Sequence, residues 1–449
     1  MLHGSGWLAL NHKPILICLV AIMILPAACA LLEDSSPGPG AEPPASVYRR
    51  PGAESGPQEA PERLDMGEID VLDTGGQWSK DLPGLSSFSI SHQGDMVGAV
   101  RRLPTRQYRL ILLDQWGERM WSYDTPERVF VSSDLSVVGR ENVYMAAAFY
   151  RWDGTGVFRL WSSDGSMLFE RSLTGASSFD ISDSADVMYI FDRGSGRITF
   201  LRPETGTEIG EAAANSDANV AFISRTSYLL KQGESHVSIV DRRGDVLWGQ
   251  DLKLDSRGDV VVSRGIERIA ITTLDPEGML YMFNNRGDLL WKYMLYPGGF
   301  NNLAVSADYS SLVVYNVAME GGVFLLDAES GLPIWRYFLM HSAGDARVHI
   351  PDAVITPSDS VAVHAVVRSS NGLRVREEHY LVGFNRGGEL QGMVNLGVNA
   401  RVQLSRDASA VAVASGNNGC QETGARILNT ITYFRLQFTS TSSRLSWSK

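Results

Sequence analysis

The sequence predicts an all-β protein, an eight-bladed β-propeller that follows an N-terminal apolar anchor and a disordered linker. Three observations predict it. A β-hairpin phrase recurs about every 45 residues, a blade-sized period. A second phrase of paired strands precedes each hairpin but the first, and the two chain ends carry complementary halves of one blade. The composition agrees: of 449 residues 44% are hydrophobic and 20% charged, with 44 Gly against 18 Pro, so a large core is turned many times. Wholly disordered, collagen-like and multi-spanning chains are excluded. The net charge of −11 gives no general attraction to nucleic acid or anionic lipid, and no nucleic-acid partner is expected.

Residues 1–32 read as a signal peptide or transmembrane anchor. Ile15 to Leu25 is an uncharged apolar run that continues to Leu32, with Lys13 before it and Glu33 and Asp34 after it. That asymmetry puts the N-terminus in the cytoplasm and the rest outside. Three outcomes stay open. Pro14 to Leu32 is just long enough, at about 28 Å as a helix, to span a bilayer uncleaved. Leu25-Pro26-Ala27-Ala28-Cys29 resembles a bacterial lipobox and makes Cys29 a candidate lipidation site, although Pro26 stands where Leu is usual. Ala28-Cys29-Ala30 fits signal-peptidase cleavage, which would secrete the chain. The expected location is the cell membrane with the globular part extracytoplasmic, a lipoprotein or a secreted protein being the alternatives. Residues 33–66, rich in Pro and Gly and poor in large apolar side chains, read as a flexible linker. Cys18 and Cys29 lie in the leader, which leaves Cys420 without an intrachain partner in the globular part.

Residues 67–449 read as the propeller. The hairpin phrase is a short apolar run, Asp or Asn, turn residues, Gly, then an aromatic residue three or four positions on. Clear copies contain Asp114, Gly117 and Trp121; Gly165 and Phe169; Asp241, Gly244 and Trp248; Gly287 and Trp291; and Asp327, Gly331 and Trp335. Degenerate copies turn at Gly206 and Gly388, and a shortened one at the start runs from Val71 through Asp73 and Gly75 to Trp78. Asp or Asn with Gly tolerates the positive φ of a tight hairpin. The aromatic is expected to pack between neighbouring blades.

The second phrase places two apolar runs around a Ser or Thr and a short turn, as in FSISHQGDMVGAV, VFVSSDLSVVG and LAVSADYSSLVVY, and reads as the inner two strands of a blade. Its last copy, Val402 to Ala414, is followed by no Asp-x-x-Gly hairpin, whereas Val71 to Trp78 is preceded by no inner strands. The strand containing Val71 and Leu72 is therefore expected to complete that last blade and close the ring. Seven blades with a terminal copy outside the ring is the alternative.

These phrases resemble the PQQ-like, or quinoprotein-type, propeller repeat, related in appearance to WD40-like repeats. Asp327 to Trp335 and Asp241 to Trp248 lie closest to its A-x-D-x-x-T-G-x-x-x-W pattern. The resemblance covers nearly all of residues 69 to 437 and implies the fold more than the activity. It extends to quinone-dependent dehydrogenases and to the propeller lipoprotein of outer-membrane assembly, a scaffold. The adjacent cysteines of the dehydrogenase branch are missing, so no quinone or other cofactor is expected.

Candidate sites are few. Arg347, His349 and Asp352 in RVHIPD, with Arg374 and Arg376 in the insertion Ser369 to His379, form a candidate binding surface, because extra residues between blade strands project from the ring. The three RGD triplets read as turn chemistry, and Asp180, Asp183 and Asp186 read as an exposed blade corner. His236, His341, His349, His364 and His379 lack zinc-site spacing, and no metal ligand or catalytic residue is assigned. The expected function is an extracytoplasmic, membrane-tethered scaffold that binds a protein partner or an envelope ligand without chemistry of its own. An enzyme with a hydrolase, lyase or oxidoreductase site at the central channel is the alternative.

Overall fold

A computed structural model describes most of residues 62–436. Residues 1–61 and 437–449, with internal stretches that include 73–76, 139–141, 252–259, 371–374 and 417–427, lie outside the described residues. Cys29 and Cys420 are among those outside. The described residues all fall within one compact unit, Pro57–Lys449.

That unit is built from antiparallel four-stranded sheets that follow one another along the chain. Ser132–Val138, Tyr144–Tyr150, Gly156–Ser162 and Met167–Leu173 make one of them. Ser177–Ile181, Met188–Asp192, Arg197–Leu201 and Glu208–Ala213 make the next, and the same up-and-down order repeats through Val398. Each sheet buries apolar residues against the one before and the one after. Tyr108 and Leu110 of one sheet meet Phe149 and Trp161 of the next, which in turn buries Phe158 and Leu160 against Ile190 and Leu201. The pattern continues with Phe191 and Tyr228, Ile239 and Ile271, Leu280 and Leu312, Leu325 and Val363, and Leu381 and Val411. This is the packing of a β-propeller, in which every sheet face is an interior face.

The hairpin phrase acts as expected, and the structure shows why it has its residues. Asp114 accepts hydrogen bonds from the backbone N–H of Trp116 and Glu118 at 2.9 and 2.8 Å. Asp241 and Asn284 repeat this with Arg243 and Asp245, and with Arg286 and Asp288. Two RGD triplets are thus turn residues. At Gly117 and its counterparts φ is positive, +77° at Gly117 and +90° at Gly244, where a side chain is strained. The aromatic that closes the phrase, at Trp78, Trp121, Phe169, Trp291 and Trp335, lies on the glycine of the following turn. A methyl group on Gly117 would meet the Trp78 ring at 2.7 Å, one on Gly331 the Trp291 ring at 2.6 Å, and one on Gly388 the Trp335 ring at 2.8 Å. The indole N–H of Trp78, Trp121 and Trp291 donates to the carbonyl of Gln115, Ser163 and Ala328 in the same following turns. Where the phrase has no aromatic, at Gly210, a methyl group on the following Gly244 would find its nearest neighbour, the Ala212 side chain, only at 3.9 Å.

The Ser or Thr of the second phrase has a structural role. The hydroxyls of Ser91, Ser182, Ser306 and Ser405 accept from the backbone N–H of Met96, Val187, Ser311 and Ala410, closing the turn between the two inner strands. One copy departs from expectation. VFVSSDLSVVG supplies only the single strand Ser132–Val138, and its partner is Tyr144–Tyr150, because the turn falls after Val138 rather than at Ser133-Asp134.

Closure also differs. Trp78–Ile90 is a long strand shared by two sheets: residues 78–85 pair with Leu428–Arg435, and residues 85–90 pair with Met96–Arg102. Pro83 and Gly84 form the corner, with Gly84 at φ +79° beside the Arg102 carbonyl. Trp78 stacks on Tyr433 at 5.4 Å, so the last sheet, Arg401–Leu404, Ala410–Ser415 and Leu428–Arg435, receives its fourth strand from residues 78–82. Val71–Leu72 does not join that sheet. It pairs in parallel with Leu390–Val398, the outer strand of the preceding sheet, and Glu62–Asp65 pairs in parallel with Pro333–Met340 one sheet earlier. Asp73 lies outside the described residues. Residues 62–66, placed in the linker by composition, are thus ordered. Met66 is buried beside Trp335 and Leu339, and Asp65 accepts from the N–H of Gly67 and Ser342 at 2.9 and 3.1 Å. Among the described residues no helix is long and apolar enough to cross a membrane.

Two outcomes follow for stability. Gly244→Ala is expected to cost about 1–2 kcal/mol from backbone strain alone, whereas Gly117→Ala adds an overpacking cost of about 1–3 kcal/mol against Trp78; urea midpoints of the two variants report the difference. Trp78→Ala is expected to cost about 3 kcal/mol, while removal of residues 62–72, which leaves every antiparallel pairing intact, lowers the melting temperature less.

Candidate functional site

The first strand of each sheet lines the middle of the ring, and five of them converge on a cavity of about 290 Å³. Its polar lining includes Ser89 and His92, Asp180, Asp352, Gln403 and Arg406. Arg406 projects from the turn closed by Ser405, and its guanidinium meets Asp180 at 3.2 Å. The pair joins sheets that are not neighbours, so it spans the opening. Asp180 is therefore a channel residue and not part of an exposed corner; its strand partner Tyr189 and the ring geometry turn it inward. Gln403 accepts from the Ile90 N–H at 3.3 Å, and Ser89 accepts from the Val137 N–H at 3.0 Å, ties between adjacent inner strands.

Asp352 joins His92, Asp180 and Arg406 among the ionisable groups that line this cavity. Burial pushes its carboxyl up to about 6, only partly offset by hydrogen bonds from the Ala353 N–H and the Tyr315 hydroxyl. It is able to exchange a proton near neutral pH. Of the serines that line the cavity, Ser89 and Ser182 accept from the backbone N–H of Val137 and Val187. Among the described residues no group of three or more His, Cys, Asp or Glu is arranged to hold a metal ion.

The candidate surface divides among three places. Asp352 lines the channel. Arg347 lies opposite Arg368 and His349 opposite Val366 on one sheet face, where Arg368 pairs with Glu377 at 2.6 Å. Burial first, then the Arg368 charge, holds His349 below the usual histidine range. Arg376 is on the other face, paired with Glu378 at 2.6 Å, and Glu378 also accepts from the Tyr380 hydroxyl. Arg374 lies outside the described residues. The insertion lengthens Val361–Ser370 and Val375–Phe384 to ten residues each, a hairpin longer than those of the other sheets.

Two residues with no sequence signal meet in that sheet. His364 Nε2 and His379 Nδ1 are 3.0 Å apart, both rings buried. Burial, then the neighbouring His379 and His349, drives His364 far below the histidine range. The two are fifteen positions apart, and only the strand register brings them together.

Residues 233–427 match the family described as outer membrane protein assembly factor BamB. Over that stretch the repeats are similar to the PQQ-like repeats of that family. The structure is similar to the C-terminal WD40 domain of Sif2, with a TM-score of 0.56 and 9% identity over 82% of this chain and 99% of that one. It is also similar to BamB from Moraxella catarrhalis, with a TM-score of 0.47 and 12% identity over 79% of this chain and 98% of that one. No curated protein matches the chain. At 9% identity the likeness to the WD40 domain shows the fold, a β-propeller. The hairpin phrase accounts for the turn and, where it is present, the aromatic; the cavity residues belong to the inner strands and the turns that follow them.

Asp352 makes a pH prediction. Its folded pKa lies above the unfolded value, so the native state holds the extra proton, and stability present below about pH 4 is lost as pH rises through about 6, on the order of 3 kcal/mol. Asp352→Asn is expected to flatten that part of the stability profile between pH 4 and 7, measured by urea unfolding at each pH.

Proposed function

We propose that the protein is a membrane-tethered, extracytoplasmic propeller of eight blades that serves as a scaffold for a protein partner in the cell envelope. The observation that carries this reading is the match of its PQQ-like repeats to a family of assembly factors. The blade count rests on the sheet order, with the seven-stranded sheet taken as two blades that share Trp78–Ile90. Eight apolar clusters, one for each junction between successive sheets, support a closed ring of that size. The tether and the location rest on the leader, with its apolar run from Ile15 and its flanking charges, and on the Pro- and Gly-rich stretch after it.

A second reading is favoured by the cavity. Asp352, with a carboxyl near 6 in the cavity that the Asp180–Arg406 pair also lines, would suit a proton-transfer group in an enzyme site at the channel.

Fractionation tests the tether. The protein is expected in the membrane pellet at high salt, because neither a spanning helix nor a lipid is a salt-sensitive attachment. Cys29→Ala releases it if Cys29 is lipidated and leaves it in place if residues 14–32 span the bilayer, while a soluble chain beginning at Leu31 sinks the tether. Chemical cross-linking in intact membranes is expected to yield a stoichiometric protein adduct; a bound chromophore or turnover abolished by Asp352→Asn, without such an adduct, would move the assignment to the enzyme.

A further inference from the structure

We infer that the cavity at the middle of the ring is a binding site for a small hydroxylated amine, held as its ammonium ion by Asp352. The inference goes beyond the scaffold reading and does not rest on a partner protein.

The cavity has the dimensions of a ligand site. At about 290 Å³ it stands at the lower end of small-molecule sites, which run from about 300 Å³ upward. Its wall is polar on several sides, through Ser89, Ser136, Ser182 and Gln403. Ser89 Oγ already accepts from the Val137 N–H and Gln403 Oε1 from the Ile90 N–H, so these two side chains turn a hydroxyl proton and an amide NH₂ toward further partners. Such donors suit the oxygen atoms of a hydroxylated molecule.

The charges of the lining select a cation. Asp180 is satisfied at both oxygens, by the Ile181 N–H at 2.8 Å and by the Arg406 guanidinium at 3.2 Å. Asp352 is not matched in this way. It receives neutral donors, the Ala353 N–H and the Tyr315 hydroxyl, and among the described residues no cation is paired with it. His364, opposite Asp352 in the strand register, is kept uncharged by burial. Around the cavity, the turns that contribute His92, Ser182 and Arg406 also carry Asp95, Asp186 and Asp407, each accepting from the serine of its own turn. Their negative field draws cations toward the opening.

Among the described residues no group of three or more His, Cys, Asp or Glu could hold a metal ion, so the cation is an organic one. An ammonium group needs one carboxylate and a few acceptors, and a hydrogen bond between two charged partners is roughly twice as strong as a neutral one. It also relieves the carboxyl. Burial without a cation beside it pushes Asp352 up to about 6; an ammonium group in contact draws it back down and expels the proton that Asp352 holds.

Serinol, glycerol and glycerate share a three-carbon hydroxylated skeleton and are cationic, neutral and anionic, which makes them the probes for calorimetry on the full chain. Serinol is expected to bind saturably, and glycerol about tenfold or more weakly. Near pH 6 serinol binding is expected to release up to about half a proton, read from the heats in two buffers of different ionisation enthalpy. Asp352→Asn, which keeps the shape of the protonated carboxyl, is expected to remove both the preference for serinol and the proton release. Arg406→Gln takes away a like charge and is expected to tighten serinol binding. Absence of saturable binding, glycerol bound as tightly as serinol, or a preference for serinol that survives Asp352→Asn would each overturn the inference. A preference for glycerate that Arg406→Gln abolishes would make the cavity an anion site and overturn it as well. The scaffold reading is tested separately, by cross-linking in membranes.

Discussion

An indole ring laid flat on a glycine of the neighbouring sheet sets the spacing of this molecule. The contact requires three things of the sequence: a large flat ring at the end of the hairpin, a position without a side chain in the following turn, and a carbonyl there to take the indole N–H. Trp78 on Gly117 with Gln115 and Trp291 on Gly331 with Ala328 satisfy all three. The turn glycine is thus fixed twice, by its own positive φ and by the ring above it. Where the aromatic is lost, as at Gly210, only the first constraint survives, and the Gly210 backbone instead packs against the Arg242 carbonyl. The sheets are held at a distance that large apolar side chains such as Phe149, Phe158 and Tyr228 then fill.

The same constraint makes the ring intolerant of a loose end. A final sheet of three strands would leave the Trp78 ring without Tyr433 and the Leu428–Arg435 strand with an open edge. Sharing one strand between the first sheet and the last removes both defects at once. The bend at Pro83 and Gly84 lets it do so, since Pro needs no donor at a corner and Gly84 accepts the close approach of Arg102.

Much of this was legible in the residues. Asp114 with Gly117, and Asn284 with Gly287, announce hairpins because a short acceptor and a missing side chain have few other uses at that spacing. That the two ends complete one sheet was legible too, but the strand that does so was not. Leu428–Arg435 carries no turn signal of its own, and Val71–Leu72, which does precede one, is drawn to the edge of Leu390–Val398. The cavity was illegible for a different reason. Asp180 and Arg406 are 226 positions apart, and Asp352 acquires its character from burial at a cavity to which the inner strands of four other blades contribute. Strand register, which periodicity alone leaves free, decides whether His364 meets His379.

The path of the chain before the ring has a mechanical consequence. From its N-terminal side it runs along three successive outer edges: Glu62–Asp65, Val71–Leu72, then residues 78–82. Tension on the N-terminal side is therefore carried in series. Four residues and the Met66 plug must give way first, then the two-residue pairing, before any load reaches the strand that closes the circle. The early attachments are short and expendable, and each releases slack as it breaks, so a pull that would otherwise tear open the first and last sheets is dissipated along the rim.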